Sequence, residues 1–203
     1  MGHELEEALL DVRKAYRLIE DFQRRLITAL EFMRNELKLE YYYQHSRNKV
    51  PRGISGIAGN KDSGRRFLPL NDMSVFWYKH SGQDAPHDYP NNGDFMVEVY
   101  LSCDSGNGHH DNHLSTPEES HSLLHICVIA CKADNVGRQN WFNLWEYTDY
   151  PNVNEVKELE DYPGFSICCE EIDMINLKNK ETLMLCLDGF RQRMSEKLGI
   201  VFN

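Results

Sequence analysis

The sequence predicts an α+β fold: an antiparallel sheet of about five strands, with a long N-terminal helix and a C-terminal helix packed on it. Three observations carry this expectation. An apolar stripe at helical spacing opens the chain. Short apolar, β-branched and aromatic runs then follow one another with only turn chemistry between them. A second helical stripe closes the chain.

The opening stripe consists of Leu5, Leu9, Val12, Tyr16, Ile19, Phe22, Leu26, Leu30, Met33 and Leu37, at steps of three and four. It predicts a helix from Leu5 to Leu39, roughly 50 Å long at 1.5 Å per residue. Glu4, Glu6, Glu7 and Asp11 occupy its first turns, where the helix dipole favours acids. The stripe averages close to 3.5 residues, the period of helices that pair. It is also longer than one small sheet can cover, so part of residues 1–39 is expected to serve as a homodimerisation element.

Residues 41–49 (YYYQHSRNK) begin as a short strand. The segment 46–66 then reads as a glycine-rich basic loop without periodicity. SVFWYKH (74–80), FMVEVYLSC (95–103) and LLHICVIAC (123–131) are strands, the last two central because their apolar runs are nearly continuous. WFNLWEYT (141–148) and GFSICCEEIDMI (164–175) are two more strand candidates, and 153–161 suits one or two helical turns. In the closing helix Asn179 is the N-cap, Leu183, Leu187, Phe190, Met194 and Leu198 form the stripe, and Gly199 stands just beyond the end. Strands in sequence without helices between them pair antiparallel, and residues 1–203 read as a single domain.

Apolar residues make up 41% of the 203 and charged residues 27%, a globular composition with no run long enough to span a membrane. The N-terminal MGHELEEALLDVRK has acids where a secretory leader carries bases, so the expected location is cytoplasmic. The six cysteines form no C-x-x-C pair and most lie in apolar runs, so they are expected to be buried thiols without a disulfide framework. No cofactor is expected.

The formal charge is −10, which argues against nucleic acid as a bulk ligand. The exception is the loop from Ser46 to Arg66. It holds six basic residues and one acid, a local charge of +5 on a remainder of −15. Within PRGISGIAGNKDSGRR, Arg52, Lys61, Arg65 and Arg66 are the candidate anion-binding residues. The loop is not a nucleotide-hydrolase loop, because Asn60 separates Gly59 from Lys61 and Asp62 replaces the hydroxyl residue. The alternative is that its arginines fold back on the acidic body.

GHHDNH contains the candidate metal ligands His110 and His113. The spacing matches no metallohydrolase pattern, and a polar loop tip with no metal is the plainer reading. His125 and Glu98 are the catalytic candidates. His125 lies inside a strand, with Cys127 next on its face and Cys103 as another thiol. Glu98 is a lone acid amid FMVEVYL, sharing a face with Met96 and Tyr100. It needs a charged partner, a wet face or a cleft, and in a cleft it is a general-base candidate. The acids at 155–161, Glu170, Glu171 and Asp173 are expected to form a negative surface beside the aromatics of 141–150.

Two functions follow. The first is a non-enzymatic intracellular interaction protein, of inhibitor, immunity or accessory-subunit type. It binds a basic partner protein through an acidic and aromatic surface. The second is an enzyme acting on a phosphate-containing substrate, such as a nuclease or nucleotide-modifying enzyme, with the 51–66 loop as anion site. Clustering of the loop arginines with His125 or Glu98 in one pocket would favour the second.

Overall fold

A computed structural model describes residues 2–46, 70, 72–80, 88–105, 116–134 and 139–202. In chain order the elements are α1 (Gly2–Glu36), β1 (Glu40–Ser46), β2 (Met73–Lys79), β3 (Phe95–Ser102), β4 (Leu123–Cys131), α2 (Trp141–Tyr147), β5 (Val156–Glu158), β6 (Phe165–Asp173), a 3-10 helix (Met174–Lys178) and α3 (Lys180–Leu198). The six strands form one sheet in the order β1-β2-β3-β4-β6-β5, and every neighbouring pair is antiparallel. The expected α+β fold is therefore present, with one strand more than expected.

The pleat sorts each strand's residues between two faces. On the first face Val97, Val99, Leu101, Leu124, Ile126, Val128 and Cys168 pack against α1 and α3. α1 contributes Leu26, Leu30, Met33 and Leu37, and α3 contributes all five residues of its predicted stripe. The Asn179 side chain accepts from the Thr182 N–H at 2.9 Å and starts α3. Gly199, at φ 70°, ends it in the left-handed conformation that glycine adopts without a Cβ clash. The two helices are tied where α1 stops, because Arg191 of α3 donates to the Glu36 carbonyl.

The second face carries Phe76, Tyr78, Met96, Ile129, Cys131, Phe165 and Ile167. It is covered in part. The cover is α2, where a strand was predicted. Asn140 accepts from the Asn143 N–H at 2.8 Å, and Trp141 and Leu144 are buried three apart on one side of a helical turn. That N-cap and that spacing outweigh the β propensity of the aromatics. Residues 156–158 reverse the other local expectation. They form the edge strand β5, whose Val156 and Glu158 are exposed. A segment this charged has no apolar stripe for a helix to bury, whereas charge suits a sheet edge.

One disulfide, Cys127–Cys169, joins directly opposed residues of β4 and β6 with Cα atoms 4.1 Å apart. It corrects the expectation of six thiols. The two apolar strands pair in the one register that sets these cysteines face to face. Closing a separation of 42 residues contributes about 4 kcal/mol in the chain-entropy account. Among the described residues no helix is long and apolar enough to cross a membrane.

Candidate functional site

Half of the second sheet face lies beyond the reach of α2. β3 places Glu98 and Tyr100 there, and β4 places His125 and Cys127 beside them, because Glu98 opposes Cys127 and Tyr100 opposes His125. The segment after α2 crosses above, bringing Tyr150, Pro151 and Val153. Together they enclose a cavity of about 270 Å³, with the Cys127–Cys169 disulfide in its wall. Both catalytic candidates read from the sequence thus line the same cavity.

Glu98 is 5% exposed. Ser74 Oγ donates to one carboxylate oxygen at 2.5 Å, and the Tyr150 hydroxyl donates to the other. Both donors are neutral. Among the described residues no Lys, Arg or His pairs with Glu98, so hydroxyl dipoles alone hold a buried carboxylate. His125 stands at the rim with Nδ1 3.0 Å from Glu171 Oε1, and its ring centroid lies 5.5 Å from that of Tyr100. The Tyr100 hydroxyl donates to buried Asp72 at 2.9 Å.

Glu170 meets a different fate from the surface acid expected. The strand turns it to the helix side, where Arg193 grips both oxygens at 2.8–3.1 Å and Lys197 approaches to 3.4 Å. The hydrogen bonds to Glu170 hold the Arg193 guanidinium above its usual range. Both of these cations are therefore committed to a structural pair. Exposed acids on the chain that follows α2 are Glu146, Asp149, Glu155, Glu158, Glu160 and Asp161, with exposed Tyr147 and Tyr150 among them, and Glu171 and Asp173 are exposed on β6.

Neither thiol weighed as a partner for His125 is poised as a nucleophile. Cys127 is in the disulfide. Burial pushes Cys103 up to about 11, with Asp72 and Asp104 adding to the rise, and its Sγ donates to the Leu70 carbonyl at 3.3 Å. Cys131 and Cys168 are also raised by burial. Among the described residues no three His, Cys, Asp or Glu side chains converge as metal ligands. The anion candidates Arg52, Lys61, Arg65 and Arg66 and the metal candidates His110 and His113 lie outside the described residues.

Sequence reasoning missed Tyr150 and Ser74 as parts of the site. Ser74 was readable, since alternation puts it on the Glu98 face of its strand. Tyr150 was not, because its place depends on how the chain leaves α2. A larger groove, about 540 Å³, runs between α1 and the start of α3. It holds no comparable buried charge. Its Arg24 and Arg25 both pair with Asp21, and its Lys180 sits over the Phe32 ring.

A family model, PM0109, matches residues 2–199, from the first turn of α1 to the end of α3. The chain belongs to the PM0109 family. A relative in Pasteurella multocida (strain Pm70), "Uncharacterized protein PM0109", is 34% identical over 207 residues, covering 98% of each chain. The PM0109 match thus takes in the whole sheet, both long helices and every residue of the cavity. No solved structure matches the chain.

Proposed function

We propose that the protein is a non-enzymatic interaction protein, of inhibitor, immunity or accessory-subunit type, which binds a basic partner protein through its second sheet face. The observation that carries this reading is Glu98: a buried carboxylate, held only by hydroxyls, in a cavity walled by tyrosines. A lysine or arginine side chain entering there supplies the missing countercharge. It also meets the aromatic faces of Tyr100 and Tyr150, and cation–π contact is worth about 0.5–2 kcal/mol. The volume supports a side chain, since cavities for whole small molecules run from about 300 to 1,000 Å³. Exposed acids on the segment that follows α2, Asp149 and Glu155 among them, carry the sign that steers a basic surface.

An NMR titration with Nα-acetyl-lysine amide, Nα-acetyl-arginine amide and adenosine monophosphate tests the reading. The two cations are expected to shift the His125 ring and the Tyr100 and Tyr150 signals, and Glu98→Gln to abolish the shifts. Shifts at these residues with the nucleotide alone contradict it.

The alternative, an enzyme acting on a phosphate-containing substrate, draws on the His125–Glu171 contact at the rim of the cavity that holds Glu98, a base with an orienting carboxylate. Against it stand the carboxylates themselves, which repel phosphate, and the commitment of Arg193 and Lys197 to Glu170. Turnover of a phosphate ester that disappears in His125→Ala would reverse the order of the two readings.

We place the protein in the cytoplasm and read it as a homodimer. Four of its six cysteines are free, which suits a reducing compartment. The Cys127–Cys169 disulfide counts against that placement, because a reducing cytoplasm opens such bonds. Alkylation at the moment of lysis then counts six thiols by mass, whereas a count of four contradicts the cytoplasmic placement.

A further inference from the structure

The outer half of α1 is apolar and uncovered. Leu5, Leu9, Val12 and Tyr16 are all exposed, Leu9 by 47% and Tyr16 by 71%. With Ile19 they follow alternating steps of four and three, and the same steps lead through Gln23 to the buried Leu26. The inner half of this heptad stripe is therefore satisfied by the chain's own sheet, and the outer half is not. We propose that a second copy of this chain covers it, with the two α1 helices antiparallel and Leu9 opposite Val12 of the other copy. This rests on the homodimer reading and adds its orientation and register.

Orientation follows from the fold. From Leu26 onward the body sits on the same stripe that would face a partner helix. Paired helices lie about 8–10 Å apart. A parallel, in-register pair would put both bodies into the same space, just beyond the overlap. An antiparallel pair places them at opposite ends of it.

Charge selects the register. Glu6, Arg13 and Glu20 form the row that flanks the stripe, one step after Leu5, Val12 and Ile19. In antiparallel pairs this row meets itself across the interface. Among the described residues none of the three is ion-paired, whereas Asp11, off the stripe, pairs with Lys14 at 2.8 Å. With Leu9 opposite Val12, Glu6 meets Arg13 of the other copy, and Arg13 meets Glu6. One heptad further along, Arg13 meets Arg13 and Glu6 meets Glu20. Two heptads further along Arg13 meets Glu20, but there Leu9 would have to face Leu26, which the body already covers. Of the registers that leave the body clear, only the first pairs opposite signs.

Sedimentation equilibrium on the full chain at low salt tests this, because the registers predict opposite signs for one substitution. The wild-type chain is expected to dimerise reversibly in the micromolar range. Glu6→Arg turns two attractions into two repulsions and should weaken the dimer about tenfold. Arg13→Glu should do the same, and the double variant should restore it to within about threefold. Leu9→Glu should give a monomer with unchanged circular dichroism. If Glu6→Arg tightens the dimer, the longer register holds and the proposal fails while the homodimer stands. A dimer indifferent to Leu9→Glu uses another face and overturns the proposal. A wild-type monomer at several hundred micromolar overturns both.

Discussion

At the scale of single residues, two buried groups have their partners fixed by strand alternation. Glu170 is 3% exposed, and its charge is met by Arg193 and Lys197. Removing one partner of a buried pair costs about 3–5 kcal/mol. Arg193 is itself half solvated and Lys197 remains, so Arg193→Ala should cost about 2 kcal/mol, read as a lower midpoint in urea unfolding. Cys103 gives a pH signature. Burial raises its folded-state pKa from the ordinary thiol value of 9.0 to about 11. The unfolded chain therefore ionises first, and folded stability is full below pH 9 and falls as pH rises toward 11. Cys103→Ala should flatten that decline in a series of alkaline melts, and an equal slope in both proteins would sink the assignment. The sequence made Glu98 conspicuous, one acid in an apolar strand. It did not reveal which groups meet that acid, because Tyr150 arrives from 52 residues away in the chain.

At the scale of elements, α1 is one helix with two environments. Leu30 and Leu9 are both stripe residues, but only Leu30 is in the core. Leu30→Ala should destabilise the chain by about 2–4 kcal/mol. Leu9→Ala should leave the urea midpoint of the diluted protein within about 0.5 kcal/mol of wild type. Helical period and caps made α1 and α3 legible in the sequence, and continuous apolar runs did the same for β3 and β4. The region from 141 to 161 was not legible, for a physical reason. Trp141, Phe142, Trp145 and Tyr147 favour strands by type and a helix by spacing, and the Asn140 cap decides between them. β5 has three residues and little apolar content, so its pairing with β6 depends on tertiary position alone.

At the scale of the whole molecule, the two faces of the sheet do different work. The first face buries the helices and holds the fold. The second is only half covered, and it gathers a lone carboxylate, a His–Glu contact and a disulfide under an acidic, tyrosine-bearing segment. The antiparallel sheet was legible from the absence of helices between strands. The disulfide was not, because it depends on a register that sets Cys127 against Cys169 across 42 residues. The central claim is that this second face binds a basic protein through Glu98. Its most direct measurement is quantitative mass spectrometry of the tagged chain purified from its native cell, beside Glu98→Gln. That variant is isosteric and keeps an acceptor for Ser74 or Tyr150, so it should melt within a few degrees of wild type. The account predicts a stoichiometric partner of basic composition on the wild-type chain, depleted at least tenfold on the variant. Equal recovery of that partner on both, or a co-purifying nucleotide in its place, would contradict it.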